Sequence, residues 1–120
     1  MHWGKVKLRY TDTLFSKYLR KKRGYFCEKC RRFYPKGHGL TLSHFWIRSK
    51  ESVRFDDENC DILCIPCHQY FEEHKTEYTE WKKERMGEKM FNLLMLRAHR
   101  PGKRDDAITL IWLKQLINES

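Results

Sequence analysis

The sequence predicts an α+β fold: a small unit of two strands and a helix, closed by two cysteine pairs, with one helix before it and further helices after it. Two observations lead to this prediction. Two C-x-x-C pairs, Cys27/Cys30 and Cys64/Cys67, enclose an insert of 33 residues, which is long enough to hold structure of its own. Apolar residues recur at helical spacing on both sides of the insert. We expect the 120 residues to form a single domain.

Residues 1–24 are predicted to be a basic arm followed by a helix. The helix spans about residues 11–22, with Thr11 or Asp12 as its N-terminal cap and Gly24 as its end. Its apolar face consists of Leu14, Phe15, Tyr18 and Leu19.

Residues 25–75 are predicted to be the core of the domain. Residues 25–39 form a knuckle and turn that ends in proline and glycine, and residues 40–47 form a strand that contains His44. A second short strand is expected near Val53–Phe55.

The core continues with a loop at residues 56–63 that contains Asn59, and a helix that begins near Pro66. Residues 76–120 form a helical extension, interrupted near Gly87 and at residues 100–102.

The last helix of this extension is capped by Asp105 or Asp106. Its apolar stripe contains Ile108, Ile111, Trp112 and Leu116. We expect these residues to pack into the core, and a homodimer interface is the alternative.

The cysteine spacing predicts a structural metal site. The first residues lack the apolar stretch of a secretory signal, and no apolar run approaches the roughly 18 residues of a membrane helix, so we expect a cytoplasmic protein with no membrane partner. Reduced cysteines in the cytosol favour metal binding over disulfides. Cys27, Cys30, Cys64 and Cys67 would fill the four tetrahedral positions of a structural Zn²⁺. Cys60 lies outside the pattern and is expected to be a small buried residue.

The charge distribution favours a nucleic-acid partner. The net charge is +9, and residues 1–36 hold twelve basic residues against two acidic ones. Basic residues with Trp3 and Tyr10 among them are suited to follow a DNA backbone, although a solvated charged helix face is the alternative. The candidate DNA-binding residues are Lys5, Lys7, Arg9, Lys17, Arg20, Lys21, Lys22 and Arg23.

The sequence places His44 on a predicted strand, Asn59 in a predicted loop and His68 at a predicted helix start. The first two lie between the two cysteine pairs, and His68 directly follows the second pair. This arrangement resembles the HNH nucleases with a ββα-metal unit, in particular the zinc-bearing, endonuclease VII-like branch. The resemblance implies that His44 is the general base, that His68 binds a catalytic Mg²⁺ or Mn²⁺, and that Asn59 holds the loop that orients His44. Hydrolysis of a phosphodiester requires such a base and a Lewis acid.

The residue before the catalytic histidine is usually a metal-binding aspartate in this family, and Ser43 stands there in this chain. A hydroxyl is a weaker ligand for a hard cation than a carboxylate. Glu72, four residues after His68, is the best placed further ligand, and Glu73 and His74 are the other candidates.

A narrower resemblance extends over about residues 12–70. The stretches Asp12-x-x-Phe-Ser, Ser43-His-Phe and Arg54-Phe-Asp are similar to the NinG/Rap recombination nucleases of lambdoid phages. This resemblance implies a phage-type protein that acts on branched DNA in the cytoplasm of a bacterial host. It also implies that Arg48 contacts phosphate or stabilises the transition state, with a solvated loop arginine as the alternative.

Three functions follow from these motifs. The first is a metal-dependent HNH endonuclease that hydrolyses DNA phosphodiester bonds and nicks or resolves branched intermediates. The second is a catalytically weak or inactive zinc-ribbon protein that binds DNA. The third is an RNA-binding or structural zinc protein.

Overall fold

A computed structural model describes residues 9–102 and 106–119 of the chain. Within these ranges, five α-helices and one antiparallel pair of strands form a small α+β structure, which confirms the predicted class. The helices and strands, in chain order, are α1 (Tyr10–Lys22), β1 (Leu40–His44), β2 (Cys60–Cys64), α2 (Ile65–Glu73), α3 (Lys75–Met86), α4 (Glu88–Ala98) and α5 (Asp106–Glu119).

Helix α1 is placed as predicted, but it is capped differently. Arg9 is the N-cap, and its backbone N–H donates to Asp12 Oδ2 at 2.7 Å. Asp12 therefore stabilises the helix start from within the first turn rather than from the cap position. Phe15 and Leu19 are buried. Gly24, at φ +83°, turns the chain away after the helix ends.

Strand β1 is shorter than the predicted strand at residues 40–47, because it ends at His44. The side chain of Asn59 replaces the next ladder partner: its Oδ1 accepts from the Trp46 N–H at 2.8 Å, and its Nδ2 donates to the Trp46 carbonyl at 2.9 Å. A side chain in place of a strand partner ends the regular pairing and bends the chain.

The prediction of the second strand near Val53–Phe55 was wrong. Val53 ends a short 3₁₀ turn, and the strand that pairs with β1 is β2, which lies in the segment predicted to be a loop. All five residues of β2 are buried, including Asp61, so the alternation of polar and apolar residues that marks a half-exposed strand is absent.

The helical extension breaks at Gly87 and after Ala98, as predicted. A further break at His74 separates α2 from α3. There Phe71 stacks on Tyr78 with ring centroids 4.5 Å apart, so the two helices share one part of the core.

The predicted apolar stripe of α5 was wrong, because a different side of the helix is buried. Ile108 and Ile111 are 66% and 67% exposed, whereas Thr109 and Leu113 are buried. Helix α5 packs mainly on α1, so the direction of α1 decides which side of α5 is buried in the contact.

Two further residues of that stripe lie at the edge of the contact. Trp112 approaches Phe15 at 6.3 Å between ring centroids, and Leu116 is half-buried. Asp106 is the first residue of α5, and Asp105 lies outside the described residues. None of the described helices has both the length and the apolar character that a membrane crossing requires.

Candidate functional site

The four paired cysteines come together as the spacing predicted. Cys27 and Cys30 lie on the knuckle hairpin (residues 26–33), Cys64 ends β2, and Cys67 lies in the first turn of α2. Their sulfur atoms all lie within 4.8 Å of one another, and Cys30 Sγ is 3.9 Å from Cys64 Sγ. Sulfur atoms at the corners of a zinc tetrahedron are about 3.8 Å apart, given a Zn–S distance of about 2.3 Å. The cluster can therefore hold a metal ion and is consistent with a structural zinc.

The surroundings of this cluster favour a thiolate at Cys64. Burial opposes its ionisation, but hydrogen bonds donated by the Tyr34 hydroxyl and by the Cys67 backbone N–H lower the pKa of Cys64 to about 7. Cys60 is 1% exposed and lies outside the cluster, as predicted, and burial raises the pKa of its thiol.

A cleft of about 780 Å³ opens beside the sheet, between α1, β1 and α2. Ionisable side chains from several elements line it: Asp12, Arg20, Arg48, His68, Glu72 and Glu73. A concave site with converging cations, carboxylates and a histidine is the usual setting for catalysis or for binding a polar ligand.

His68 is held in one tautomer. The Thr41 hydroxyl donates to the Leu63 carbonyl at 2.8 Å, so its oxygen accepts from His68 Nδ1–H at 2.9 Å. The other nitrogen, Nε2, then keeps its lone pair, and it lies 3.5 Å from Glu72 Oε1. Burial lowers the pKa of His68 and outweighs the Glu72 carboxylate, which raises it, so the neutral imidazole is favoured.

His44 is also held by one nitrogen. Its Nε2 lies 3.0 Å from the Arg54 carbonyl, which can only accept, so Nε2 donates and Nδ1 keeps its lone pair. Nδ1 is buried and has no hydrogen-bond partner among the described residues. Burial, and then the charge of Arg48, lower the pKa of His44 to about 4.

Asn59 holds the backbone around this histidine. It is fully buried, and in addition to its two bonds with Trp46 its Nδ2 donates to the Val53 carbonyl at 3.2 Å. The Val53 carbonyl adjoins Arg54, whose own carbonyl accepts from His44. Asn59 thus ties the end of β1 to the segment that orients His44.

Arg48 and Arg54 converge on one carboxylate from α1. Asp12 accepts from Arg54 Nε at 2.9 Å and from Arg54 Nη2 at 2.6 Å, and Arg48 Nε lies 3.8 Å from its Oδ1. Burial opposes the charge of Asp12, but the Arg54 hydrogen bonds hold the pKa of this carboxyl below its usual value. After burial, the charge of Arg48 also lowers the pKa values of His44 and His68.

Ser43 and His74, two of the tentative metal ligands, do not line this cleft. The Ser43 hydroxyl is buried and lies 2.9 Å from the Tyr78 hydroxyl, which donates to Asp61 at 2.7 Å. His74 stacks on Tyr70 with ring centroids 4.0 Å apart.

The basic residues predicted to contact DNA fall into three groups. Lys5, Lys7 and Trp3 lie outside the described residues. Arg9 and Arg23 are engaged within the fold, the first by Glu51 and Asp106 and the second by Glu28 and two carbonyls.

The remaining basic residues of α1 are more available. Lys17, Lys21 and Lys22 are exposed, and the half-buried Arg20 lines the cleft. Lys22 lies over the Tyr18 ring.

Asp12, Arg54 and Thr41 are functional residues that the sequence motifs do not identify. Asp12 and Arg54 appeared only within the resemblance, and their pairing across 42 residues has no local signal. Thr41 lies between Leu40 and Leu42 on β1, so the sequence predicts that it faces the opposite side of the strand. The sequence does not predict that it contacts His68.

Neither a family model nor a curated protein nor a solved structure matches this chain. The functional assignment therefore depends on the residues and their geometry.

Proposed function

We propose that this small α+β protein, whose four-cysteine cluster can hold a metal ion, is a metal-dependent endonuclease of the HNH type that hydrolyses DNA phosphodiester bonds. In this proposal structural Zn²⁺ lies at the cysteines and Mg²⁺ or Mn²⁺ lies beside His68 and Glu72. The motif resemblance extends the proposal to branched DNA in the cytoplasm of a bacterial host.

The observation that carries this proposal is the hydrogen bonding of the two histidine rings, His44 and His68. Each donates one N–H to an oxygen of the fold and retains a lone pair on the other nitrogen, namely Nδ1 of His44 and Nε2 of His68. A general base and a metal ligand both need an unprotonated nitrogen in a fixed direction. The lowered pKa values keep both rings neutral near pH 7.

The residues beside His68 fit a divalent cation. The Nε2 lone pair and the Glu72 carboxylate lie 3.5 Å apart at the cleft, and an imidazole with a carboxylate suits Mn²⁺ and, less well, Mg²⁺. Bound there, the cation supplies Lewis-acid stabilisation of negative charge on the phosphate. The other ligands would be water and phosphate oxygens, since Mg²⁺ usually keeps several waters.

The chain's own residues account for the proton and for the phosphate charge. His44 does not line the cleft and its Nδ1 is buried, so the proposal requires that the attacking water reach this atom. His44 Nδ1 would then accept a proton from that water as the new P–O bond forms and the bond to the leaving sugar oxygen breaks, and the leaving oxygen would take a proton from solvent. Arg48 offers a positive charge to the phosphate, and Arg20 lines the same cleft. A phosphate beside Arg48 also offsets the charge that lowers the pKa of His44, which makes His44 a stronger base once substrate is bound.

Two observations favour the second function, a zinc-ribbon DNA-binding protein with little or no activity. His44 Nδ1 is buried, and Ser43 is committed to Tyr78, so β1 offers no carboxylate to a metal. In that case the basic residues of α1 bind DNA without cleavage. An RNA-binding or structural zinc protein remains the third function.

Nicking of supercoiled plasmid with Mg²⁺ or Mn²⁺ tests the proposal. We expect His44→Ala to lower the nicking rate by about 100-fold or more, which is the usual contribution of a general base. The matched control is His38→Ala, at an exposed histidine outside the cleft, and it should nick like the wild type. If the wild type nicks no faster than His44→Ala, the chain is not an endonuclease of this kind.

Substrate choice is tested with a four-way junction, a flap and a plain duplex of the same sequence, and with RNA as competitor. Faster cleavage of the branched DNAs supports the proposal, and stronger binding of RNA favours the third function. The proposal also includes pairing of two copies through the exposed isoleucines of α5, Ile108 and Ile111, because two strands must be cut in a branched substrate. Sedimentation equilibrium with and without Ile111→Lys tests this pairing.

A further inference from the structure

Two phenylalanines of the knuckle hairpin are exposed side by side. Phe26 and Phe33 are 46% and 51% exposed, and they face each other across an isolated antiparallel bridge with ring centroids 5.2 Å apart. Phe26 directly precedes Cys27, and the backbone bridge to Phe33 keeps the two rings together. Apolar rings kept in water at a fixed position are typical of a surface that binds a partner.

Exposed basic residues lie close to this aromatic pair in the chain. Arg31, Arg32 and Lys36 are exposed, and their side chains make no hydrogen bond or ion pair with any residue in the described ranges. The single acid of the hairpin, Glu28, is engaged by Arg23, by Arg85 and by the Ile62 N–H. Of the cluster cysteines, Cys27 and Cys64 are buried, whereas Cys30 is exposed on the same hairpin.

The aromatic pair lies at one end of the basic run of α1, and the cleft lies along the same helix. Gly24 follows that run directly, and a Cβ on it would lie 3.6 Å from the Phe26 ring. Arg20, which begins the run, lines the cleft. The exposed side chains of Lys21 and Lys22 come between Arg20 and Gly24 in the chain.

We propose that Phe26 and Phe33 form a stacking site for the unpaired bases of a single DNA strand, whose phosphates lie against Arg31 and Arg32. Aromatic rings next to exposed cations match the alternation of flat bases and anionic phosphates along a strand. Bases in a duplex are already stacked and paired, so they offer no free face to these rings. Lys21 and Lys22 then guide the strand towards the cleft.

This inference rests on the proposed function for its choice of DNA, and it deepens that function. A substrate that occupies the cleft and the aromatic pair together has a single-stranded segment next to its cleavage point. Branched and flapped DNAs have such segments, and a continuous duplex does not.

Fluorescence anisotropy of a labelled 12-nucleotide oligothymidine, without added divalent cation, tests the site directly. We expect Phe26→Leu with Phe33→Leu to weaken binding by about tenfold or more, because leucine keeps the apolar bulk but loses the π face on which a base stacks. The control pair, Met90→Ala with Leu93→Ala, removes comparably exposed apolar side chains from α4 and should bind like the wild type. Zinc content and circular dichroism verify that each variant is folded.

Several outcomes would overturn the inference. Unchanged oligothymidine affinity of the folded leucine variant removes the stacking site, as does equal affinity of the wild type for an abasic strand of the same length. Preference for an RNA strand removes the assignment to DNA, and a self-association that the leucine variant abolishes assigns the surface to a second copy of the chain. Because binding is measured without cleavage, a chain that binds the strand but nicks no plasmid contradicts the proposed nuclease and not this site.

Discussion

At the residue scale, the candidate site depends on which nitrogen of each histidine has a partner. His44 gives its Nε2–H to the Arg54 carbonyl and His68 gives its Nδ1–H to Thr41. The type of residue in the sequence identifies an imidazole but not its tautomer, since the tautomer is set by an oxygen that approaches from another part of the chain. Burial then keeps both rings neutral.

The pKa of His44 predicts a pH dependence of stability. Its pKa is about 4 in the fold, against about 6.5 in an unfolded chain, so the unfolded state binds the proton first as the pH falls. The contribution of neutral His44 is complete above about pH 6.5 and is lost between about pH 6.5 and pH 4, and it amounts to at most about 3 kcal/mol.

Urea denaturation of the wild type and of His44→Gln at several pH values between 7 and 4 measures this contribution. We expect a shallower fall in the free energy of unfolding for the variant. Any loss of metal at low pH affects both proteins, so the difference between them isolates His44. Identical pH profiles would contradict the lowered pKa.

The environment of Ser43 predicts that an aspartate there does not restore a metal ligand. Ser43 Oγ lies 2.9 Å from the Tyr78 hydroxyl, which donates to the buried Asp61. Ser43→Asp places a second carboxylate in this network, and we expect it to lower the free energy of unfolding by about 2–4 kcal/mol. Ser43→Ala is the matched control and should lower the free energy of unfolding by about 1 kcal/mol. A Ser43→Asp variant of wild-type stability that binds Mn²⁺ more tightly would show that this position faces the metal after all.

At the element scale, the site is assembled where β1, β2 and α2 meet. β1 provides Thr41 and His44, β2 provides the Leu63 carbonyl and Cys64, and α2 provides Cys67, His68 and Glu72. The register that pairs Leu40 with Cys64 places Thr41 opposite Leu63. A shift of one residue in this register would turn Thr41 to the other face of the sheet.

The contact between β1 and α2 predicts a role for Thr41 in metal binding. Thr41→Val keeps the shape of the side chain but removes the oxygen that accepts from His68 Nδ1–H. Loss of such an outer partner usually lowers metal affinity by about 10–100-fold. Titration calorimetry with Mn²⁺ measures the change, and Thr79→Val, at a half-buried threonine of α3 outside the cleft, is the control. An unchanged Mn²⁺ affinity of a folded Thr41→Val protein would contradict this role.

At the scale of the whole molecule, two long-range connections hold the site together. The cysteine cluster joins the knuckle hairpin to β2 and α2, and the buried pair of Asp12 and Arg54 joins α1 to the segment that follows β1. Removing one member of a buried ion pair commonly lowers the free energy of unfolding by about 3–5 kcal/mol. The contact of Asp12 with Arg54 therefore makes α1 a structural part of the cleft.

The cysteine cluster predicts that the fold depends on metal. Cys64→Ser removes one of four ligands, and we expect zinc content well below one ion per chain and loss of cooperative thermal unfolding, since metal-binding free energy contributes directly to folding in small domains. Cys60→Ala, at the buried cysteine outside the cluster, should retain about one zinc. Metal analysis and circular dichroism measure both properties, and a cooperative, wild-type-like Cys64→Ser protein would contradict the dependence.

The sequence by itself determined the features that depend on local spacing. Two C-x-x-C pairs were sufficient to predict the cysteine cluster, the spacing of apolar residues was sufficient to predict α1, and Gly87 was sufficient to predict the break between α3 and α4. Each of these features is encoded by residues a few positions apart, so its pattern is visible without the fold.

Only the tertiary structure decided the features that depend on contacts across the chain. β2 is buried on both faces, so it shows no alternation, and the covered face of α5 follows from the direction of α1. The partners of His44, His68 and Ser43 are 10, 27 and 35 residues away, and which atom meets which depends on strand register and helix packing. The chemistry proposed for this site therefore rests on residue types that the sequence displays and on proton positions that the fold sets.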